Sequence, residues 1–379
     1  MTIRGRWGGF PVLALVALLG STVTACAAES DTPAPWNAPL IVEGGDDRGV
    51  TANGETARPT AGGGTLVLAP HELTAPANQI AADVTAAIPP GAVVMVELRG
   101  AREPGRWTEW LEAGPRAPAA LPEPTRLVQI RLTLSAAPDR AAPVVRGLRL
   151  IPQRNDDQLP RITGPVGTYR VFATRIGLVG NTTANGHVVA PRDHFAALPS
   201  RRTLSSHGSS DYTVQVCADN DRCAWVPVSD IGPWNTTDDY WNVPQLRQSW
   251  RDLPQGLPQS QAAFRDGYNG GRDQFGRRVT NPAGVDLADG TFWDTLRLRD
   301  NQWVTVDYLW ARPGLFGLVG AQPLTVRGEP GDDAPDVGRA AEGAMVPLQC
   351  REPDEWLRIG PGQFLPASGL TQAPPLPAC

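Results

Sequence analysis

Two aspartates stand where an apolar run gives way to a turn or a new element, and they are the best candidates in the chain for moving a proton. Asp230 follows Val226-Pro227-Val228 and precedes Gly232-Pro233, so a strand would deliver its carboxylate to a sharp turn at a surface groove. Asp286 follows Val285 and precedes Ala288 to Leu298, where Phe292, Trp293 and Leu296 have helix-like spacing. It suits equally a cap on that helix's first turn and a second working acid. A carboxyl that keeps its proton near neutral pH needs an apolar wall or another negative charge beside it. Trp225, Trp234 and Trp293 are candidates for the wall, and Asp286 for the charge.

Other chemistries are excluded by what is missing. All 34 basic residues are Arg and none is Lys, which removes Schiff-base chemistry, the phosphate-loop lysine and Ser-Lys hydrolases. No GxSxG, HExxH or phosphate-loop pattern occurs. His187, His194 and His207 with Asp193 match no zinc spacing, so neither a metal nor a cofactor is expected. A net charge of −5 leaves no broad basic face for nucleic acid.

The elements that must position these side chains are strands. With 40 Gly and 38 Pro in 379 residues, long helical bundles are disfavoured, and an all-β, multidomain chain is expected. Residues 27–64 lack sustained periodicity and read as a flexible tether, which leaves Trp36 and Leu40-Ile41-Val42 unexplained. Residues 65–155 carry short β-type runs at sandwich-like intervals. The alternation in Val94 to Arg99 and Val128 to Leu132 suits strands with one face buried and the other wet. Residues 161–312 hold seven of the twelve tryptophans and the site candidates, and 321–379 form a small C-terminal module.

Arg4 and Arg6 precede the short apolar stretch Phe10 to Gly20, the layout of a secretory signal. Val23-Thr24-Ala25-Cys26 resembles a bacterial lipoprotein signal over residues 1–26, which implies cleavage before Cys26, a lipidated Cys26 as the first residue left, and attachment to the outer face of the cytoplasmic membrane. Four cysteines then remain in an oxidising compartment. Cys217 with Cys223 and Cys350 with Cys379 are the favoured pairs, because each lies within one module. Closing those loops stabilises by roughly 2 and 4 kcal/mol on the chain-entropy model.

Thr183-Ala184-Asn185-Gly186, Ala197-Leu198-Pro199-Ser200, Tyr212 to Val216, Val226 to Trp234 and Gly284 to Ala288 occur in an order that resembles the double-psi β-barrel proteins grouped with rare lipoprotein A and the expansins. The resemblance covers about 150 residues and implies a six-stranded double-psi barrel. In the lytic transglycosylases of that group, the acid matched by Asp230 would protonate the glycosidic oxygen while the sugar's C6 hydroxyl closes on C1. Two departures weaken an enzymatic reading. The histidine of rare lipoprotein A, three residues before the Leu-Pro pair, is Phe195 here, with His194 adjacent. Fifty-five residues separate Asp230 from Asp286, far more than in the family. That loop, 235–283, carries Tyr240, Trp241 and Tyr268, which with Asp238, Asp239 and Asn242 would either bind sugar or build a hydrophobic mini-core.

Gly105 to Trp110 is similar to a pattern in jelly-roll modules of extracellular enzymes, with Trp107 and Trp110 on opposite strand faces. Leu324-Thr325-Val326-Arg327-Gly328-Glu329-Pro330, Val337-Gly338 and Trp356 to Ile359 resemble a bacterial Src-homology-3-like barrel, a fold that commonly grips wall peptide or glycan. Together these imply an exported, membrane-tethered protein that binds peptidoglycan or another wall polysaccharide through Trp234, Tyr240, Trp241, Tyr268, Trp293 and His194. The alternatives are a lytic transglycosylase using Asp230 with Asp286, and a scaffold for other envelope proteins.

Overall fold

In the computed structural model, the described residues are 32–103, 105–158 and 167–379; the signal segment and Cys26 lie outside them. Among the described residues no helix is long and apolar enough to cross a membrane. The chain is built almost wholly of strands.

The N-terminal module is an eleven-stranded sheet dominated by His71–Ala87, Val93–Glu103, Ala119–Ser135 and Val144–Gln153. All its pairs are antiparallel and enclose one apolar core that includes Ile80, Leu98, Val128, Leu132 and Leu148. The stretch expected as a tether belongs to this sheet from Trp36 onward. Trp36 pairs with Leu150 and stacks on His71 with ring centroids 4.3 Å apart, and Leu40 is buried in the core. The apolar residues that no tether requires are what fasten it.

The barrel strands are β1 (Tyr169–Arg175), β2 (Ala196–Leu198), β3 (Thr213–Cys217), β4 (Cys223–Ile231), β5 (Ala283–Leu287) and β6 (Gln302–Tyr308). They close in the order β2-β5-β1-β6-β3-β4, with β4 returning to β2. The β1–β5 and β2–β4 pairs are parallel and the others antiparallel. Exchanging β1, β2 and β3 with β4, β5 and β6 maps every one of these pairings onto another or onto itself, so the barrel has an internal two-fold connectivity. Its interior is filled by Val171, Ala173, Leu198, Val214, Val226, Val285 and Val304.

Because β2 has three residues, it covers one half of the β4 edge. The other half is taken by the C-terminal strand Asp336–Ala340, which runs parallel to Cys223–Trp225. The backbones approach so closely that a Cβ on Gly338 would lie 2.1 Å from the Cys223 carbonyl oxygen, which requires glycine there. Leu324–Arg327, Gln363–Pro366 and Trp356–Gly360 continue this sheet, while Leu315–Val319, Met345–Leu348 and Leu370–Gln372 form a small second one. Both favoured disulfides, Cys217–Cys223 and Cys350–Cys379, are present.

The polar faces of the N-terminal strands are not wet. Glu97, Arg99, Gln129 and Arg131 are all buried, because the barrel packs over them. Arg131 donates to both oxygens of Glu97 at 2.8 and 2.9 Å, and Arg99 pairs with Asp211 of the barrel at 3.1 Å. Period-2 alternation marks a face that is not core, and a second module can cover such a face as readily as water. Trp107 and Trp110 are likewise both buried, so neither forms a sugar platform. Trp110 lies between the guanidiniums of Arg99 and Arg131, at 4.2 and 4.4 Å.

Candidate functional site

Strand alternation decides where the two aspartates point. In β5 the flanking Val285 and Leu287 fill the core, so Asp286 projects outward; in β2 the same holds for Ala197 between Ala196 and Leu198, and in β1 Thr174 follows the core residue Ala173. Register then aligns them: Ala197 pairs with Asp230 on one side and Asp286 on the other, and Asp286 pairs with Thr174. A bulge in β4 next to this position brings Asp230 onto the same outer face. Four adjacent strands therefore present the row Asp230, Ala197, Asp286, Thr174. Directly paired side chains stand roughly 5 Å apart, and the small Ala197 between the two acids lets their longer side chains converge.

Asp230 and Asp286 are both half-buried residues. Asp286 accepts a short hydrogen bond from the Thr174 hydroxyl. Burial raises its pKa to about 7, and the neighbouring Asp230 adds to the rise. Asp230 is raised more weakly: burial pushes it up, while the amides of Ala184 and Ile231 donate to one of its oxygens at 2.8 and 2.9 Å and favour its ionised form. The two environments thus differ: Asp286 is pushed up to about 7, while main-chain donors oppose the rise of Asp230, and acids set apart in this way suit an acid–base division of labour.

Asp286 does not cap the following element. That element, Gly290–Thr295, is one wide helical turn whose preceding residue is Asp289, and the Asp286 carboxyl is turned to Thr174 instead. Thr174, Ala197 and the Ala184 amide were not legible as site residues, since they depend on register. The signal for Ala184 was the motif Thr183 to Gly186 itself, whose turn carries a positive φ of 90° at Gly186.

The aromatic candidates divide. Tyr240 and Trp241 have no exposed surface and cannot touch a ligand. They pack with Tyr308 and Trp310, and the Tyr240 hydroxyl donates to the Gly284 carbonyl at 2.9 Å. The loop 235–283 is therefore a mini-core. Asp238 and Asp239 serve it by pairing with the buried Arg247 and with Arg202, and Asn242 donates to Glu109. Trp225 is fully buried, on the strand position that pairs with Ala340 of the C-terminal module, rather than forming a wall. Trp234 is half-buried and donates to Asn281 at 3.0 Å. Tyr268 donates to Asp252 at 2.8 Å and sits edge-on to Trp250. Trp293 is exposed, with the guanidiniums of Arg175 and Arg192 at 4.4 and 5.2 Å from its ring.

His194 does not join the carboxylates. It faces Thr295 and Arg339, and burial and the Arg339 charge hold its pKa below the usual value. With His187, Trp107 and Phe316 it lines a separate cavity of about 1050 Å³ where the three modules meet. Phe195 is buried against Val189 and Ala288.

Residues 167–307 match a family described as a domain of unknown function (DUF8814), and this unit coincides with the barrel from just before β1 to the end of β6. No curated protein and no solved structure matches the chain.

Proposed function

We propose that the barrel is of the double-psi kind and acts on the glycan strands of peptidoglycan as a lytic transglycosylase. Its two-fold connectivity supports the fold, and the observation that carries the chemistry is the row in which four adjacent strands set Asp230 and Asp286 on either side of Ala197. Asp286 is the general acid: its proton passes to the glycosidic oxygen as the bond to C1 breaks. Asp230 takes the proton of the C6 hydroxyl as that oxygen bonds to C1, so the product is an anhydro sugar and no water is consumed. Transfer of the proton from Asp230 back to Asp286 resets the site. The C-terminal module, read as Src-homology-3-like, holds wall peptide or glycan, and a lipid on Cys26 keeps the protein at the membrane, so that weak sites suffice.

Incubating the purified protein with insoluble peptidoglycan and analysing the soluble fraction by mass spectrometry tests this. Anhydro-muropeptides are expected from the wild type and not from Asp286→Asn. Wall binding without any release would favour the second reading, a protein that only binds, which the replacement of the family histidine by Phe195 supports. A protein that does neither would be a scaffold.

A further inference from the structure

The loop that holds Asp230 has a second face, and the N-terminal module covers it with charge. Gly186 carries no side chain, and the Arg48 side chain lies over it: a Cβ there would fall 2.3 Å from the Arg48 Nε. Arg48 itself is exposed, and its Nη1 lies 2.9 and 3.1 Å from the two ring nitrogens of His207, of which only the one without a proton accepts from it. Burial and the Arg48 charge hold His207 below its usual pKa. Among the described residues no carboxylate pairs with the Arg48 guanidinium.

These groups border a crevice of about 330 Å³ that also takes in Asp46, Arg131, Arg201 and Ala184, the residue whose amide holds Asp230. Three guanidiniums therefore stand around it. Glu97 answers Arg131 through two short bonds and Arg201 only at 3.8 Å, and the Arg201 Nε is buried without a hydrogen-bond partner. Asp46 and, beside it, Asp47 stand at the same crevice, so the three guanidiniums face three carboxylates with Glu97, and what sets Arg48 apart is that none of these pairs with it. Burial raises Asp46, and the adjacent Asp47 adds to the rise.

We infer that this crevice is an anion subsite, that its ligand is a carboxylate on the peptide substituent of a muramoyl residue, and that Arg48 is its principal contact. The inference rests on the glycan reading of the adjacent pair. It makes the site a joint product of two modules: the barrel supplies the acids and the N-terminal module recognises the charged substituent. One guanidinium without a carboxylate partner, set among acids that are otherwise matched, suits a monoanionic carboxylate better than a phosphate.

The test uses the full chain titrated with N-acetylmuramoyl dipeptide as the free acid, with the same compound amidated at every carboxyl, and with inorganic phosphate. The free acid is expected to bind about ten-fold more tightly than the amide, on the scale of one charge-assisted contact. Arg48→Gln should abolish that preference and Arg48→Lys retain part of it. Equal binding of acid and amide, no binding of either, a preference that survives Arg48→Gln, or tighter binding of phosphate would each overturn the inference. Release of oligosaccharides ending in an anhydro sugar is scored separately on strands stripped of peptide. An Arg48-dependent acid preference without release would sink the cleavage reading and leave the anion subsite standing.

Discussion

Asp286 has its chemistry set by its neighbours in the sheet rather than in the chain. Its carboxyl titrates near 7 when folded and near 3.8 when unfolded, so between those values the folded protein holds a proton that the unfolded chain has lost. The stability this contributes is fully present at acidic pH and declines as the pH rises toward about 7. Glycan release should also fall as the pH rises through about 7, because the acid loses the proton it must give. Asp286→Asn should lower release by about a hundred-fold or more and flatten the loss of stability from pH 5 to 8, measured by denaturant unfolding at each pH. A variant that releases product at the wild-type rate would exclude Asp286 as the acid. The aspartates themselves were readable as strand-end acids. Their convergence across Ala197 was not, because pairing register between distant strands leaves no local trace.

At the scale of elements, the loop 235–283 shows why aromatic composition misleads. Tyr240 and Trp241 next to two aspartates have the look of a sugar platform, yet Asp238 is committed to Arg247 with both side chains fully buried. Burial raises the Asp238 pKa to about 6 in spite of the adjacent guanidinium. Removing the cation would leave an uncompensated buried carboxylate. Arg247→Met is therefore expected to cost about 3–5 kcal/mol and to speed proteolysis within 235–283 before other sites are cut. Unchanged unfolding and cleavage would contradict the mini-core. The clue in the sequence was balance: the pair Asp238-Asp239 has Arg202 and Arg247 as its counterparts, but only tertiary structure matches each acid with its base.

Across the molecule, the N-terminal module and the barrel share a junction too polar and too buried to be read from either alone. Glu109 accepts hydrogen bonds from Trp241, Asn242 and Trp310, and the Tyr212 hydroxyl donates to the Thr108 carbonyl at 2.7 Å. Burial and then Asp239 raise the Glu109 pKa. Trp110→Ala should cost about 3–5 kcal/mol and let limited proteolysis separate the two modules, with mass spectrometry reporting cuts between 154 and 168. Modules that stay together would show that the tryptophan fills space without joining them. Strand spacing marked the modules, but the alternation that revealed their strands could not show that the outward residues meet another part of the same chain.

The shortness of β2 has one more effect. A molecule cut after Arg312 would lose the strand Asp336–Ala340, leaving Cys223–Trp225 with free main-chain donors and acceptors along an open seam. Such an edge recruits whatever extended peptide is nearest, so the truncated protein would zip to its own copies or to foreign strands through that gap.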